Sequence, residues 1–239
     1  MDPISGFAKN GDAPAIAAAR NKQMYEIQKG IRDESVDKAL REALTDNARI
    51  SEKEFRAILK STLDGKGESR VNDNEYHDLM RILRMSKSIM DSSRNPIMDH
   101  IARYYALKGP YVHSKVKELE GKAKVSNKAS AGLVQWYTKV GLTKSWRQGI
   151  AVKGNGGKIK TGTVVATFVD GFYPNKPPGN HAAFYISQNN QGVLVMDQWN
   201  GSNKPTISSR RMMFKARNSD GIFVDPSNNG AALSVVMTR

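Results

Sequence analysis

The chain has 239 residues, of which 39% are hydrophobic and 25% charged, the composition of an ordinary soluble protein with one large domain or two small ones. Its net charge of +14 indicates an anionic partner, although basic residues spread along the chain and an aromatic content of 8% are weak support for a nucleic-acid groove. The absence of Cys excludes disulfides and thiolate metal sites.

The sequence shows neither a membrane span nor a secretory signal. No apolar run approaches the roughly 20 residues that a membrane-spanning helix needs. The first residues, Met1 to Gly6, lack a basic stretch followed by an apolar core. If the substrate lies outside the cytoplasm, we therefore expect export by a route that reads no cleavable signal.

The first half of the chain carries helical periodicity and helix-start patterns. Ser51 and Asn72 each precede a Glu by three residues, which is the capping-box spacing at a helix start. A glycine at position 30 and Gly109-Pro110 are predicted to end helices. Helices are predicted at residues 13–30, at 34–44, from 51 onward, from 72 onward and at 95–107.

The second half changes character after a charged stretch at residues 115–128. A helix is predicted at residues 130–140, and strands are predicted at 163–169, 182–187, 192–198, 221–224 and 231–237. This order indicates an α+β protein. We expect a helical N-terminal region at residues 1–120, followed by a domain at 121–239 in which a helix packs on an antiparallel sheet.

A predicted hairpin in the second half carries a His at its start and an Asp near its end. His181 opens the first strand and Asp197 closes the second, with a polar turn between them. Antiparallel strands joined by a short turn can bring these side chains together. An imidazole oriented by a carboxylate is half of a nucleophilic triad, although Gln198 or Asn200 could orient the imidazole instead.

The matching nucleophile is expected upstream, at a helix start. Ser130 precedes an apolar run, so its side chain would lie at the positive end of a helix dipole, near N–H groups that could bind an oxyanion. A Ser in this position is more often a plain N-cap, and Asp197 could simply end a strand. His77, His100 and His113 have no metal-like spacing, so we expect neither a metal nor another cofactor.

Five segments of the second half occur in an order typical of one group of enzymes. They are Ser130-Ala131-Gly132-Leu133-Val134-Gln135, Thr143-Lys144-Ser145-Trp146-Arg147-Gln148-Gly149, Gly162-Thr163-Val164-Val165-Ala166-Thr167-Phe168, Gly179-Asn180-His181-Ala182-Ala183 and Asp197-Gln198-Trp199. Together they resemble the papain-like cell-wall amidases of the NlpC and CHAP types, and are most similar to bacterial peptidoglycan amidase effectors associated with type VI secretion. The similarity covers residues 124–238 and leaves the helical first half without a counterpart.

The resemblance implies a papain-like domain that hydrolyses an amide bond in or beside the peptidoglycan stem peptide. It places the nucleophile at Ser130, the general base at His181 and the orienting residue at Asp197. Family members carry Cys where this chain has Ser130, and a hydroxyl is a far weaker acid than a thiol of pKa ~8.5. We therefore expect a chain that is nearly inactive as written, through a Cys→Ser change. A match shifted by one residue would place a Cys→Ala change at Ala129 or Ala131.

The remaining expectations concern the cleft and the partners. Loops at residues 154–160 and 172–178 are predicted as cleft walls, with Asn180 in the cleft and with Trp146 and Trp199 as packing or substrate-stacking surfaces. The implied partners are peptidoglycan in the periplasm of a target bacterium, a cognate immunity protein, and a secretion-apparatus component that contacts the N-terminal helices. Two other hypotheses are a non-catalytic cell-wall-binding module with a native Ser130, and a basic nucleic-acid-binding protein.

Overall fold

The computed structural model describes residues 18, 21–22, 24–45, 50–64, 71–86, 89, 91–176, 179–219 and 221–239. The predicted α+β class is confirmed, because helices come first in the chain and an antiparallel sheet follows. The helices are α1 (Glu34–Ala43), α2 (Glu52–Asp64), α3 (Asp73–Met85), α4 (Asp91–Tyr104) and α5 (Ser130–Tyr137). The strands are β1 (Trp146–Ala151), β2 (Val164–Thr167), β3 (Ala182–Gln188), β4 (Gly192–Asp197), β5 (Ser208–Met213) and β6 (Leu233–Thr238).

Both predicted capping boxes are confirmed. At the start of α2, the Glu54 N–H donates to Ser51 Oγ (3.3 Å) and the Ser51 N–H donates to the Glu54 carboxylate (2.5 Å). At the start of α3, Asn72 and Glu75 exchange the same two bonds at 3.0 and 2.7 Å. Each box satisfies two backbone donors that a helix start leaves without partners.

Three predicted helices differ from those in the structure. The helix predicted at residues 130–140 ends at Tyr137. Helix α4 begins at Asp91 rather than at residue 95, so Pro96 lies inside it. Of the helix predicted at residues 13–30, the first part, residues 13–17, lies outside the described residues. Residues 24–28 are helical and end in a turn at Gly30.

The helical part has its own hydrophobic core. The buried side chains of this core come from the residues before α1 and from all four of α1 to α4, and include Ile27, Leu40, Phe55, Leu79 and Ile101. Helix α4 also packs against β1, so this part of the chain rests directly on the edge of the sheet. No helix in the described part of the chain is long and apolar enough to cross a membrane.

The sheet is antiparallel throughout, with the strand order β1-β6-β2-β3-β4-β5. Side chains alternate between its two faces, and each face has a buried cluster. Helix α5 covers one face, where Leu133 and Val134 pack with Phe184 and Met196. The opposite face carries a second cluster that includes Tyr185.

The predicted strand at residues 221–224 is wrong. Ile222 and Val224 are 52% and 62% exposed, and this segment makes only an isolated bridge, between Phe223 and Arg217. Strands β1 and β5 were not predicted, because neither has clean apolar alternation. β1 contains a buried Arg147 and a glycine, and β5 is a polar edge strand with Arg210 and Arg211.

The predicted boundary at residue 120 stays a prediction. The segment just before it already pairs with the sheet, through bridges from Lys108 to Thr238 and from Val112 to Thr163. A short 3-10 helix, Val116–Leu119, then contributes two buried side chains to the cluster under α5.

Candidate active site

Helix α5 begins at Ser130 and has no side-chain cap. Its N-cap is Ala129, whose methyl group cannot accept a hydrogen bond. Gln198 holds the preceding segment instead: its Nε2 donates to the carbonyl oxygens of Val125 (3.0 Å) and Ala129 (2.9 Å), and its Oε1 accepts the Val125 N–H (3.0 Å). The helix start is thus fixed through its backbone, and no side chain caps its first-turn N–H groups.

His181 is placed by Thr167 on the neighbouring strand. Thr167 Oγ1 accepts the His181 N–H (2.9 Å) and donates to the Gly179 carbonyl (3.1 Å), while the Thr167 N–H donates to the His181 carbonyl (3.0 Å). Gly179 has φ of +116°, which glycine adopts without steric cost. The Gly-Asn-His segment therefore turns sharply into β3 with the imidazole in a fixed position.

The imidazole of His181 contacts the carboxylate of Asp197, as the hairpin predicted. His181 Nε2 lies 2.8 Å from Asp197 Oδ2, and both side chains are buried. Because Nε2 faces the carboxylate, Nδ1 is the ring nitrogen left to exchange a proton with a nucleophile.

Asp197 is also paired with two cations. Lys204 Nζ lies 2.8 Å from Oδ1, and Arg210 Nε lies 2.7 Å from Oδ2. Burial raises the pKa of Asp197, but the hydrogen bond and charge of His181 and the charges of Arg210 and Lys204 outweigh it and lower the pKa to about 2. Asp197 is therefore a carboxylate at neutral pH.

Ser130 lies beside His181 without a direct bond to its ring. The Ser130 Oγ accepts a hydrogen bond from the N–H of Ala182, the residue after His181, at 3.3 Å. No hydrogen bond between described residues joins the Ser130 Oγ to the imidazole. Tyr173 and Asn180 lie beside Ser130 in the same part of the site. Burial raises the pKa of the Tyr173 phenol to about 12, although the nearby polar side chains of Ser130 and Asn180 lower it.

Several predicted site residues lie elsewhere. Gln198 holds the segment before α5 and Asn200 is exposed, whereas the imidazole contacts the carboxylate of Asp197. Trp146 is fully buried, packs edge-on against Tyr173 (5.0 Å between centroids), and is not available to stack on a substrate. Trp199 is half-buried, with Lys204 Nζ and Arg210 Cζ at 4.7 and 5.1 Å from its ring.

The sequence reasoning missed Lys204, Arg210 and Tyr173. The two cations lie in a loop and in the unpredicted edge strand, where basic residues normally mark a solvated surface. The excess of positive charge gave no clue to which cations turn inward. No three His, Cys, Asp or Glu side chains in the described part of the chain are grouped so that they could hold a metal ion.

The arrangement defines a class of site. A hydroxyl at a helix start, an imidazole on the adjoining strand and a buried carboxylate on the next strand are the groups that acyl-transfer hydrolases use. Uncapped N–H groups in the first turn of α5 supply the kind of donor that a developing oxyanion needs.

Known proteins identify the family. The family described as Dae2, domesticated amidase effector 2, matches residues 104–233. The type VI secretion amidase effector 2 protein of Salmonella typhi is 43% identical over 132 residues, which cover 53% of this chain and 98% of that protein. A solved structure of type 6 secretion amidase effector 2 (Tae2) is 42% identical with a TM-score of 0.52, over 55% of this chain and 96% of that one. The chain belongs to the domesticated amidase effector 2 family.

Proposed function

We propose that this chain is a peptidoglycan amidase of the type VI effector group, an antibacterial protein that hydrolyses an amide bond in or beside the stem peptide. The observation that carries the proposal is the convergence of Ser130, His181 and Asp197 on one end of the sheet. Ser130 Oγ touches the residue after His181, and His181 Nε2 lies 2.8 Å from the Asp197 carboxylate. The positive net charge of +14 also suits an anionic wall polymer.

The reaction is that of a cysteine at position 130. The thiolate attacks the amide carbonyl carbon, the first-turn N–H groups of α5 hold the oxyanion, and His181 protonates the leaving amine. A water molecule, deprotonated by His181, then hydrolyses the thioester and regenerates the thiolate. Asp197 keeps the imidazole oriented throughout.

We propose that Ser130 replaces this cysteine and that the chain as written is nearly inactive. A hydroxyl gives up its proton far less readily than a thiol of pKa ~8.5, so the nucleophilic anion is almost absent at neutral pH. The position of Ser130 Oγ beside β3 supports residue 130, rather than 129 or 131, as the nucleophile position. A papain-like arrangement of the sheet and α5 is part of the same proposal.

The experiment compares the chain as written with Ser130→Cys on purified sacculi, with soluble products identified by mass spectrometry. We expect new muropeptides from the Cys form alone, and their loss when His181→Ala is added. The masses name the bond cleaved. Ser130→Ala is the matched control for residual hydrolysis by the serine. If a folded Cys form releases nothing, the amidase proposal fails and a non-catalytic wall-binding module with a native serine takes its place.

The proposal extends to partners and location. The enzyme would act in the periplasm of a target bacterium after delivery by type VI secretion, and its producer would need an immunity protein. The residues before position 104, outside the family match, are the part available to contact a secretion apparatus. Co-purification of secretion-apparatus components with the full chain, and their loss from a full chain carrying Lys38→Glu and Arg41→Glu at exposed positions of α1, tests this assignment.

A further inference from the structure

Basic side chains of helix α3 form ion pairs with Asp170, in a short segment that follows β2. The Asp170 carboxylate is 8% exposed and receives Arg84 Nε at 2.7 Å and Arg81 Nη1 at 3.3 Å. His77 Nε2 lies 3.8 Å away. All three basic side chains belong to α3, so one carboxylate outside the helical part is held by a cluster of groups within it.

The backbone of this segment is shaped to reach α3. Asp170 has φ of 47° and Gly171 has φ of 83°, both in the left-handed region. A Cβ on Gly171 would lie 2.5 Å from the Tyr76 ring, so the chain passes α3 in direct contact. A left-handed Asp costs roughly 1 kcal/mol and persists only where its surroundings hold it.

Phe172 extends the contact. Its ring meets Tyr76 edge-on at 5.7 Å between centroids, and the Arg147 guanidinium lies 4.3 Å from its centre on the sheet side. Arg147 is itself tied to the helical part, because its Nε donates to the Tyr105 hydroxyl (3.0 Å). Three consecutive residues, 170 to 172, are thus fixed by groups of the helical part.

The next residue is Tyr173, which lies in the proposed active site. It is 7% exposed, packs against Trp146, and lies near Ser130 and Asn180, which lower the pKa of its phenol against the effect of burial. Only two residues separate Asp170 from Tyr173. We therefore expect a displacement of Asp170 to move Tyr173, which lies near the proposed nucleophile. Arg81 also connects Asp170 to the segment before α1, because it donates to the carbonyl oxygens of Glu26 and Ile27.

We propose that helix α3 is a positioning element for the active site, and that the Arg81–Asp170–Arg84 cluster holds Tyr173 in place beside Ser130 and Asn180. The inference rests on the proposed amidase function for its kinetic readout. It also assigns a role in catalysis to residues before position 104, which the family match does not include. Arg81, Arg84 and Asp170 touch no reacting atom and act through Tyr173.

The test uses Asp170→Asn and Arg84→Gln in the full chain carrying Ser130→Cys. Asn tolerates the left-handed conformation, so Asp170→Asn removes the charge and leaves the backbone preference. We expect kcat to fall roughly 10- to 100-fold with KM changed less than threefold, because a misplaced group affects the reacting geometry more than substrate binding. Arg41→Gln, which removes an exposed ion pair on α1, is the control and should leave kcat unchanged.

A second readout needs no activity. In the Ser130 chain labelled with 3-fluorotyrosine, the Tyr173 fluorine resonance is assigned with Tyr173→Phe. Asp170→Asn and Arg84→Gln should both move it, and Arg41→Gln should not. An unmoved resonance overturns the inference whatever happens to kcat, as does a moved resonance with unchanged kcat. If the Ser130→Cys chain is itself inactive, the amidase proposal fails, and the resonance alone still decides whether α3 positions Tyr173.

Discussion

Asp197 supplies the negative charge that pairs with the basic groups of the site. It is fully buried, and its single negative charge faces one imidazole and two cations. Desolvation of so many charges is offset only while all of them are paired. The carboxylate therefore stabilises the folded chain as well as contacting His181.

We predict that Asp197→Asn destabilises the chain by about 3–5 kcal/mol at pH 6, because Lys204 is left buried, and Arg210 partly buried, without a counter-charge. The effect depends on pH with a defined sign. The folded pKa of Asp197 is about 2 and its ordinary value is 3.8, so its contribution is complete above pH 4 and is lost as pH falls toward 2. Denaturant unfolding at pH 6 and pH 2 should show the difference between the two chains shrinking by about 2 kcal/mol.

Asp225→Asn is the matched control, since Asp225 is exposed and its carboxylate accepts, among the described residues, from Asn228 in the adjacent turn alone. Its effect should stay within about 0.5 kcal/mol at both pH values. A stability difference for Asp197→Asn that does not change between pH 6 and pH 2 would contradict the assigned role of the carboxylate.

At the scale of elements, the start of α5 depends on a side chain from the far side of the hairpin. Gln198 follows β4, and its amide makes three hydrogen bonds with the backbone before Ser130. The sequence places these partners more than sixty residues apart. Only the pairing of β3 and β4 and the packing of α5 on β3 bring them together.

We predict that Gln198→Ala in the Ser130→Cys chain lowers kcat about tenfold or more, because the helix start loses its anchor and the nucleophile shifts relative to His181. Hydrolysis of sacculi over a time course measures this. Gln135→Ala removes a Gln hydrogen bond at the other end of α5, to the Gly141 carbonyl, and should have a small effect. An equal loss of kcat in the two variants would contradict the specific role assigned to Gln198, because any lost hydrogen bond to α5 would then have the same effect.

Sequence reasoning succeeded where local patterns fix local structure. The capping boxes at Ser51 and Asn72 and the hairpin that joins His181 to Asp197 all depend on neighbouring residues and were predictable. Strand β1 was missed because Arg147 is buried in it, a position where a charge normally argues against a strand interior. Its burial depends on Tyr105, which no periodicity connects to it.

At the scale of the whole molecule, buried contacts join the helical part to the sheet. Besides Asp170, the Arg147 guanidinium lies between the Tyr105 and Phe172 rings, and Tyr76 donates to the Gln148 carbonyl at 3.1 Å. Asp73 at the start of α3 accepts from both Tyr105 and Arg239. These contacts involve charged and aromatic groups whose pairing could not be read from the sequence, although both halves were predicted separately.

We predict that the two parts unfold together. All three Trp residues lie in the sheet part, at positions 136, 146 and 199, whereas most helix lies before residue 105. Tryptophan fluorescence and far-ultraviolet circular dichroism therefore report on different parts of one chain. Urea unfolding followed by both signals should give coincident transitions. Two separated midpoints would show that the helical part folds independently of the sheet.

The strand order has a consequence for how the protein is made. β6 lies between β1 and β2, so these strands cannot join into one sheet until residues 233–238 have left the ribosome. Pairings such as Trp146 with Thr238 close a long loop of chain, and contacts of this kind form slowly. Ser130, His181 and Asp197 are held by α5 and by strands β2 to β4, whose pairings with one another do not involve β6. The last step of synthesis therefore joins β1, and the helical part packed on it, to strands that already hold these three residues together.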